Sequence, residues 1–110
     1  MRIHLIKEKT IEDFIDKHAV SKSSFRLWLS VIKRADWDKP EDILATFSSA
    51  DLLGNGSGRV VFDIGGNNYR TIARYDFAGT RVHLTIRWIG THAEYTKLCR
   101  ANKQYDISIY

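Results

Sequence analysis

Four side chains in the C-terminal half have the types and spacing for acid–base work on a phosphate: Arg70, Arg87, His92 and Tyr95. A guanidinium offers a planar fork of donors that fits two phosphate oxygens, whereas an ammonium is a point charge. An imidazole exchanges protons near neutral pH. Arginines fixed on a rigid sheet beside such a ring are suited to gripping a phosphate while a proton moves. Arg70 is the leading candidate for that grip. Thr91-His92-Ala93-Glu94 has the form of a capping box, with Thr91 as N-cap and Glu94 reaching back, so Glu94 reads as structural rather than as a base. His92 then falls at the first helical position, where the positive helix end disfavours imidazolium and a nearby phosphate favours it. Tyr95, three residues on, shares its face; it is placed to stack on a base, assist proton transfer or pack under the last helix.

The elements that must position these groups lie between Arg59 and Tyr95. Val60, Phe62 and Ile64 alternate with Arg59, Val61 and Asp63, the period-2 pattern of a strand. Gly65-Gly66-Asn67-Asn68 supplies residues that tolerate positive φ, as a tight reversal requires. A β-rich run over Tyr69–Phe77 follows, Ala78-Gly79-Thr80 turns the chain, and Val82, Leu84, Ile86 and Trp88 alternate again. That alternation puts Arg87 on the face opposite Ile86 and Trp88; an ion pair with Asp63 or Asp76 is its structural alternative. Upstream, Met1–Ile6 predicts a short strand, and Ile11, Phe14 and Ile15 mark one face of a helix over Lys7–His18. Phe25, Trp28, Leu29, Ile32 and Ala35 predict a longer helix beginning near Ser21–Ser24. Asp38 reads as the N-cap of a short helix that opens with Pro40 and Glu41. Trp28, Trp37 and Phe47 read as core. Leu53–Gly58 reads as a connection too short to separate domains, and no lysine follows it to make a nucleotide-binding loop. The expected order is β-α-α-(short α)-β-β-β-α, an α+β fold.

At 110 residues, 44% hydrophobic and 27% charged, the composition is that of one soluble domain spanning residues 1–110. No apolar run reaches the roughly 20 residues of a membrane span, and no signal-peptide pattern opens the chain. The lone Cys99 pairs with nothing internal and fits a reducing cytoplasm. His4, His18 and His83 lack paired ligand spacing with cysteine or carboxylates, so no metal and no other cofactor is expected. Residues 1–58 hold nine Lys/Arg against nine Asp/Glu, while residues 59–110 hold eight against four. The whole +4 excess therefore lies with the strands, which suggests an anionic partner.

The run VFDIGGNNYR followed by IGTHAEY, with FRLWLSVIKRADWDKPEDILATFSSAD before it, resembles the HigB-type toxins of bacterial toxin–antitoxin systems, within the RelE-like ribonuclease superfamily. The resemblance covers nearly the whole chain. It implies a small RelE-like fold, an antiparallel sheet with helices packed on one side, whose free face is a natural substrate groove. It implies a metal-independent endoribonuclease that works on mRNA at the ribosome and inhibits translation. In such a reaction the 2′-hydroxyl attacks the scissile phosphate, so a proton acceptor, a phosphate grip and a donor to the leaving 5′-oxygen are needed. Arg70 and Arg87 match functional arginines of the family, and the THAEY motif favours a proton-transfer role for His92. Arg59, Asn68, Arg74, Lys97, Arg100 and Lys103 are then candidates for longer contacts to RNA.

As partners the resemblance implies a HigA-like helix-turn-helix antitoxin, ribosome and mRNA, with DNA reached only through the antitoxin complex and no membrane. Asp63 departs from the family pattern, where asparagine is usual. A carboxylate facing the groove would repel RNA or tie up an arginine. A non-catalytic RNA- or ribosome-binding module and an antitoxin-bound operon co-repressor remain as alternatives.

Overall fold

The computed structural model describes residues 1–110. Its elements are β1 (Arg2–Ile6), α1 (Lys9–Lys17), a 3-10 turn (Ala19–Ser21), α2 (Lys22–Arg34), α3 (Glu41–Thr46), β2 (Asp51–Leu53), β3 (Arg59–Ile64), β4 (Tyr69–Ala78), β5 (Arg81–Thr91) and α4 (His92–Arg100). The architecture is the α+β arrangement expected. The strands form one sheet in the order β1-β5-β4-β3-β2. β2 through β5 pair antiparallel in sequence order, but β1 joins β5 in parallel, so the sheet is mixed. A parallel neighbour requires a long crossover, and α1 to β4 supply it. The short strand β2 was not apparent from its three residues; it exists through its pairing with Arg59–Val61.

Alternation divides the sheet into two faces. Val60, Phe62, Ile64, Ala73, Val82, Leu84, Ile86 and Ile89 pack with Ile11, Phe14, Phe25, Trp28 and Ile32 in the main core beneath α1 and α2. Trp37 is buried there too, its indole N–H donating to Thr46 Oγ1 at 2.9 Å. α1 and α2 pack on one side as expected, and one further helix, α4, covers part of the other face. Leu98 of α4 sits on Val61, Ile72 and Trp88, with Tyr95 and Ile107 beside it. Val61, Ile72 and Trp88, register neighbours across three strands, form the apolar row that α4 covers.

Two local features differ from the sequence reading for definite reasons. The cap of α3 comes from inside the helix: the Asp42 carboxylate accepts from the backbone N–H of Asp38 at 2.8 Å and of Lys39 at 3.2 Å. Those bonds hold its carboxyl below the usual range. The β4–β5 ladder slips between Ile72 and Ala73 of β4: Ile72 faces Trp88 but Ala73 faces Ile86, so Arg87 of β5 has no partner. Such a bulge breaks strict alternation. Trp88 therefore turns away from the main core, to the same face as Arg87, and Ile89 takes the core position instead.

Candidate active site

Arg70 stands second in β4, in register with Asp63 on β3 and Gly90 on β5. Its side chain is only 10% exposed and its donors are largely committed. Nε bonds Asp63 Oδ1 at 2.9 Å, Nη1 donates to the Tyr69 carbonyl at 3.0 Å, and Nη2 donates to Asn67 Oδ1 at 2.7 Å. Asp63 thus ties up this arginine, one of the two outcomes its departure from the family pattern suggested. Three of the five N–H donors are used, so each terminal nitrogen retains one hydrogen. Asn67, whose amide fixes the fork from the turn, was not singled out in sequence; turn asparagines more often serve their own backbone. The turn itself depends on Gly65, at φ +64°, where a Cβ would lie 2.9 Å from Ser24 Oγ.

The start of α4 forms as its sequence required. Glu94 N–H donates to Thr91 Oγ1 at 3.2 Å and Thr91 N–H to Glu94 Oε1 at 2.8 Å. Glu94 is therefore a capping residue. The backbone N–H of His92 is held by the Asn68 carbonyl at 3.0 Å, which fastens the helix start to the β3–β4 turn beside Arg70. The half-buried His92 ring has Thr96 Oγ1 3.5 Å from Nδ1. Tyr95 packs against Trp88, with ring centroids 6.0 Å apart. Burial pushes its phenol well above the usual tyrosine range, the neighbouring Cys99 thiol adds to this, and the Arg70 charge opposes it. The hydroxyl therefore stays neutral and can donate a hydrogen bond. Gly90, across from Arg70, is the seat of the Trp88 indole: a Cβ there would fall 2.4 Å from the ring.

Arg87 does not join this group. The Ile72–Trp88 rung, capped by Leu98, lies between the Arg70–Gly90 rung and the level of Arg87. Arg87 instead donates to Ser108 Oγ at 3.3 Å, and its carbonyl accepts from Ile109 N–H at 3.0 Å. Asp63, one of its expected ion-pair partners, belongs to Arg70. Near Arg87 stand Arg59 and Arg74, register partners on β3 and β4. Arg59, expected to reach RNA, is buried, and its Nη1 donates to the carbonyls of Gln104 at 3.3 Å and Ile107 at 2.6 Å. Burial, with the Arg87 and Arg74 charges, holds its guanidinium below the usual arginine range, and Asp106 opposes this. The face beyond α4 is thus a second basic cluster strapped by the C-terminal segment, and only Arg74 in it is exposed.

The remaining candidates are dispersed. Asn68 is exposed in the β3–β4 turn beside the helix start, and Arg100 is exposed at the end of α4. Lys97 and Lys103 are exposed on the rim of an open concavity of about 410 Å³, whose floor is Trp88 and Leu98. The structure therefore gathers Arg70, Tyr95 and the His92 helix start at one end of α4, with the two lysines along its flank.

The chain matches the family model described as HigB_toxin, RelE-like toxic component of a toxin–antitoxin system, over residues 21–98. A protein named mRNA interferase HigB from Escherichia coli O6:H1 (strain CFT073) is 32% identical over 98 residues, covering 89% of this chain and 93% of that protein. The mRNA interferase toxin HigB of Escherichia coli K12 is 31% identical over 93 residues, covering 84% and 88%. The mRNA interferase HigB of Shigella flexneri is similar to the same extent.

Proposed function

The chain belongs to the HigB toxin family, RelE-like toxic components of toxin–antitoxin systems and mRNA endoribonucleases, and from that premise we propose that it cuts message on the ribosome at the Arg70 end of α4. The observation that carries this reading is the clamped guanidinium. With Asp63, Asn67 and the Tyr69 carbonyl holding its inner side, Arg70 keeps one hydrogen on each terminal nitrogen. One free donor on each terminal nitrogen can bond a phosphate oxygen, and a group locked before substrate arrives need not reorganise during reaction.

In this reading the 2′-hydroxyl attacks the phosphate in line with the departing 5′-oxygen. Arg70 stabilises charge on the non-bridging oxygens and Tyr95 supplies a hydrogen bond from its neutral phenol. His92 exchanges the proton, no metal takes part, and a 2′,3′-cyclic phosphate is the first product. Lys97 and Lys103 hold the RNA backbone along the flank of α4, with Asn68 and Arg100 at its two ends. Arg74 and Arg87 serve neighbouring phosphates rather than the scissile one. The antitoxin is a HigA-like helix-turn-helix protein through which the complex reaches DNA, and the working place is the cytoplasm.

Arg70→Ala and His92→Ala should each relieve growth arrest on expression at unchanged protein level. Mapping of message ends should give discrete cuts within codons when ribosomes are translating. A double variant that still arrests growth would overturn the site assignment, and equal cutting of ribosome-free RNA would overturn the ribosome requirement.

A further inference from the structure

The parallel seam between β1 and β5 brings together two histidines that are 79 residues apart in the chain. His4 and His83 are register partners, and both side chains project from the face opposite the main core, because Ile3, Leu5, Val82 and Leu84 take the core side. Their Nδ1 atoms are 3.3 Å apart, the ring planes are inclined at 71° and the ring centroids are separated by 5.4 Å. Without another ligand this is a hydrogen bond in which one ring donates and the other accepts. The same separation is the edge of a metal tetrahedron. With metal–nitrogen bonds of about 2.0–2.1 Å, two tetrahedral ligands stand about 3.3–3.4 Å apart.

We propose that His4 and His83 form an open clamp for a divalent transition-metal ion such as Zn²⁺ at the β1–β5 seam. Neutral imidazole suits zinc, nickel and copper, in contrast to magnesium or calcium, which take oxygen ligands. To bind, the donor ring moves its proton from Nδ1 to the outer nitrogen, so both Nδ1 lone pairs face one ion and no net proton is lost from two neutral rings. No third histidine, cysteine or acid completes the cluster. His4 is exposed and His83 half-buried, so water fills the other positions. Arg2 and Arg81 are the next register pair on the same face and repel a cation; Asp76, the register partner of His83 on β4, offsets them. Both arginines are exposed, which lets solvent screen that repulsion. The clamp is independent of RNA cleavage: its residues lie at the far end of β5 from His92.

Calorimetric titration of ZnCl₂ into the full chain tests it, beside thermal unfolding with and without zinc. One ion per chain, or one per two chains where four imidazoles share it, supports the clamp, together with a zinc-dependent rise in Tm. His4→Ala and His83→Gln should each weaken binding at least about tenfold, the least expected for loss of a direct ligand, while His92→Gln should leave it unchanged. Circular dichroism establishes that each variant is folded. Absence of saturable binding to the parent chain, or equal affinity in the folded double variant, overturns the proposal.

Discussion

Replacing Asp63 by asparagine separates two effects that the ion pair with Arg70 combines. The carboxylate orients the guanidinium, and it also neutralises a positive charge beside the proposed phosphate position. Asparagine retains an oxygen that accepts from Nε and removes only the charge. The bond from the guanidinium to the asparagine oxygen is still one to a charged group, so Asp63→Asn loses only the charge–charge part of a partly exposed pair, about 1 kcal/mol. The pair is 2.9 Å long, with the aspartate side chain 27% exposed and the arginine 10%, so solvent keeps the cost well below that of breaking a fully buried pair. For a domain of this size the loss appears as a fall in Tm of about 4–8 °C.

Binding should move the other way. A phosphate on the outer edge of the guanidinium lies about 6 Å from the carboxylate, where like-charge repulsion in water is about 0.7 kcal/mol. Removing it should tighten binding of a non-cleavable oligonucleotide about threefold at low salt. Asp63→Ala also removes the acceptor; it should unfold at a lower temperature than Asp63→Asn and cut RNA more slowly because Arg70 is no longer held. Circular dichroism melts, fluorescence anisotropy and cleavage rates on the same preparations make the comparison. A shift in Tm below about 2 °C for Asp63→Asn, or an alanine variant that cuts as fast as the parent, would refute the view that this carboxylate positions Arg70.

Arg59→Ala should destabilise the chain by about 2–3 kcal/mol in urea unfolding, because it leaves the Gln104 and Ile107 carbonyls without their donor. Arg74→Ala, at an exposed position, should stay within about 0.5 kcal/mol of the parent. Gly90→Ala forces the Trp88 indole from its seat and should cost about 1–3 kcal/mol of stability, measured the same way. The raised phenol of Tyr95 is neutral in the folded state where an unfolded tyrosine ionises, so the stability it contributes is complete below about pH 10 and is lost as pH rises further. The Tm of the parent should fall above that pH, and that of Tyr95→Phe should fall less.

Local order in this protein was legible in its residues. The capping box at Thr91 and Glu94, the reversal at Gly65-Gly66, the helical faces of Ile11, Phe14 and Ile15, and the core role of Trp28 and Trp37 all follow from short-range spacing. Such features depend on backbone groups a few positions away, and so does the recognisable run from Val61 to Arg70. Pairings between distant segments were not legible. Whether β1 lies parallel to β5, whether α4 crosses the second face, and which side of the sheet Trp88 takes were decided by packing across the whole sheet. The bulge opposite Ile72 shows the reason: period-2 alternation assumes an unbroken ladder, and one unpaired residue reverses every face assignment beyond it. Arginines carry the same lesson for chemistry. Arg59, Arg70 and Arg87 are alike as letters, but one is sealed under the C-terminal segment, one is clamped by an acid from the next strand, and one bonds Ser108 beyond the Trp88 rung. A guanidinium's role is set by the acceptors around it, and folding, through contacts remote in sequence, chooses those acceptors.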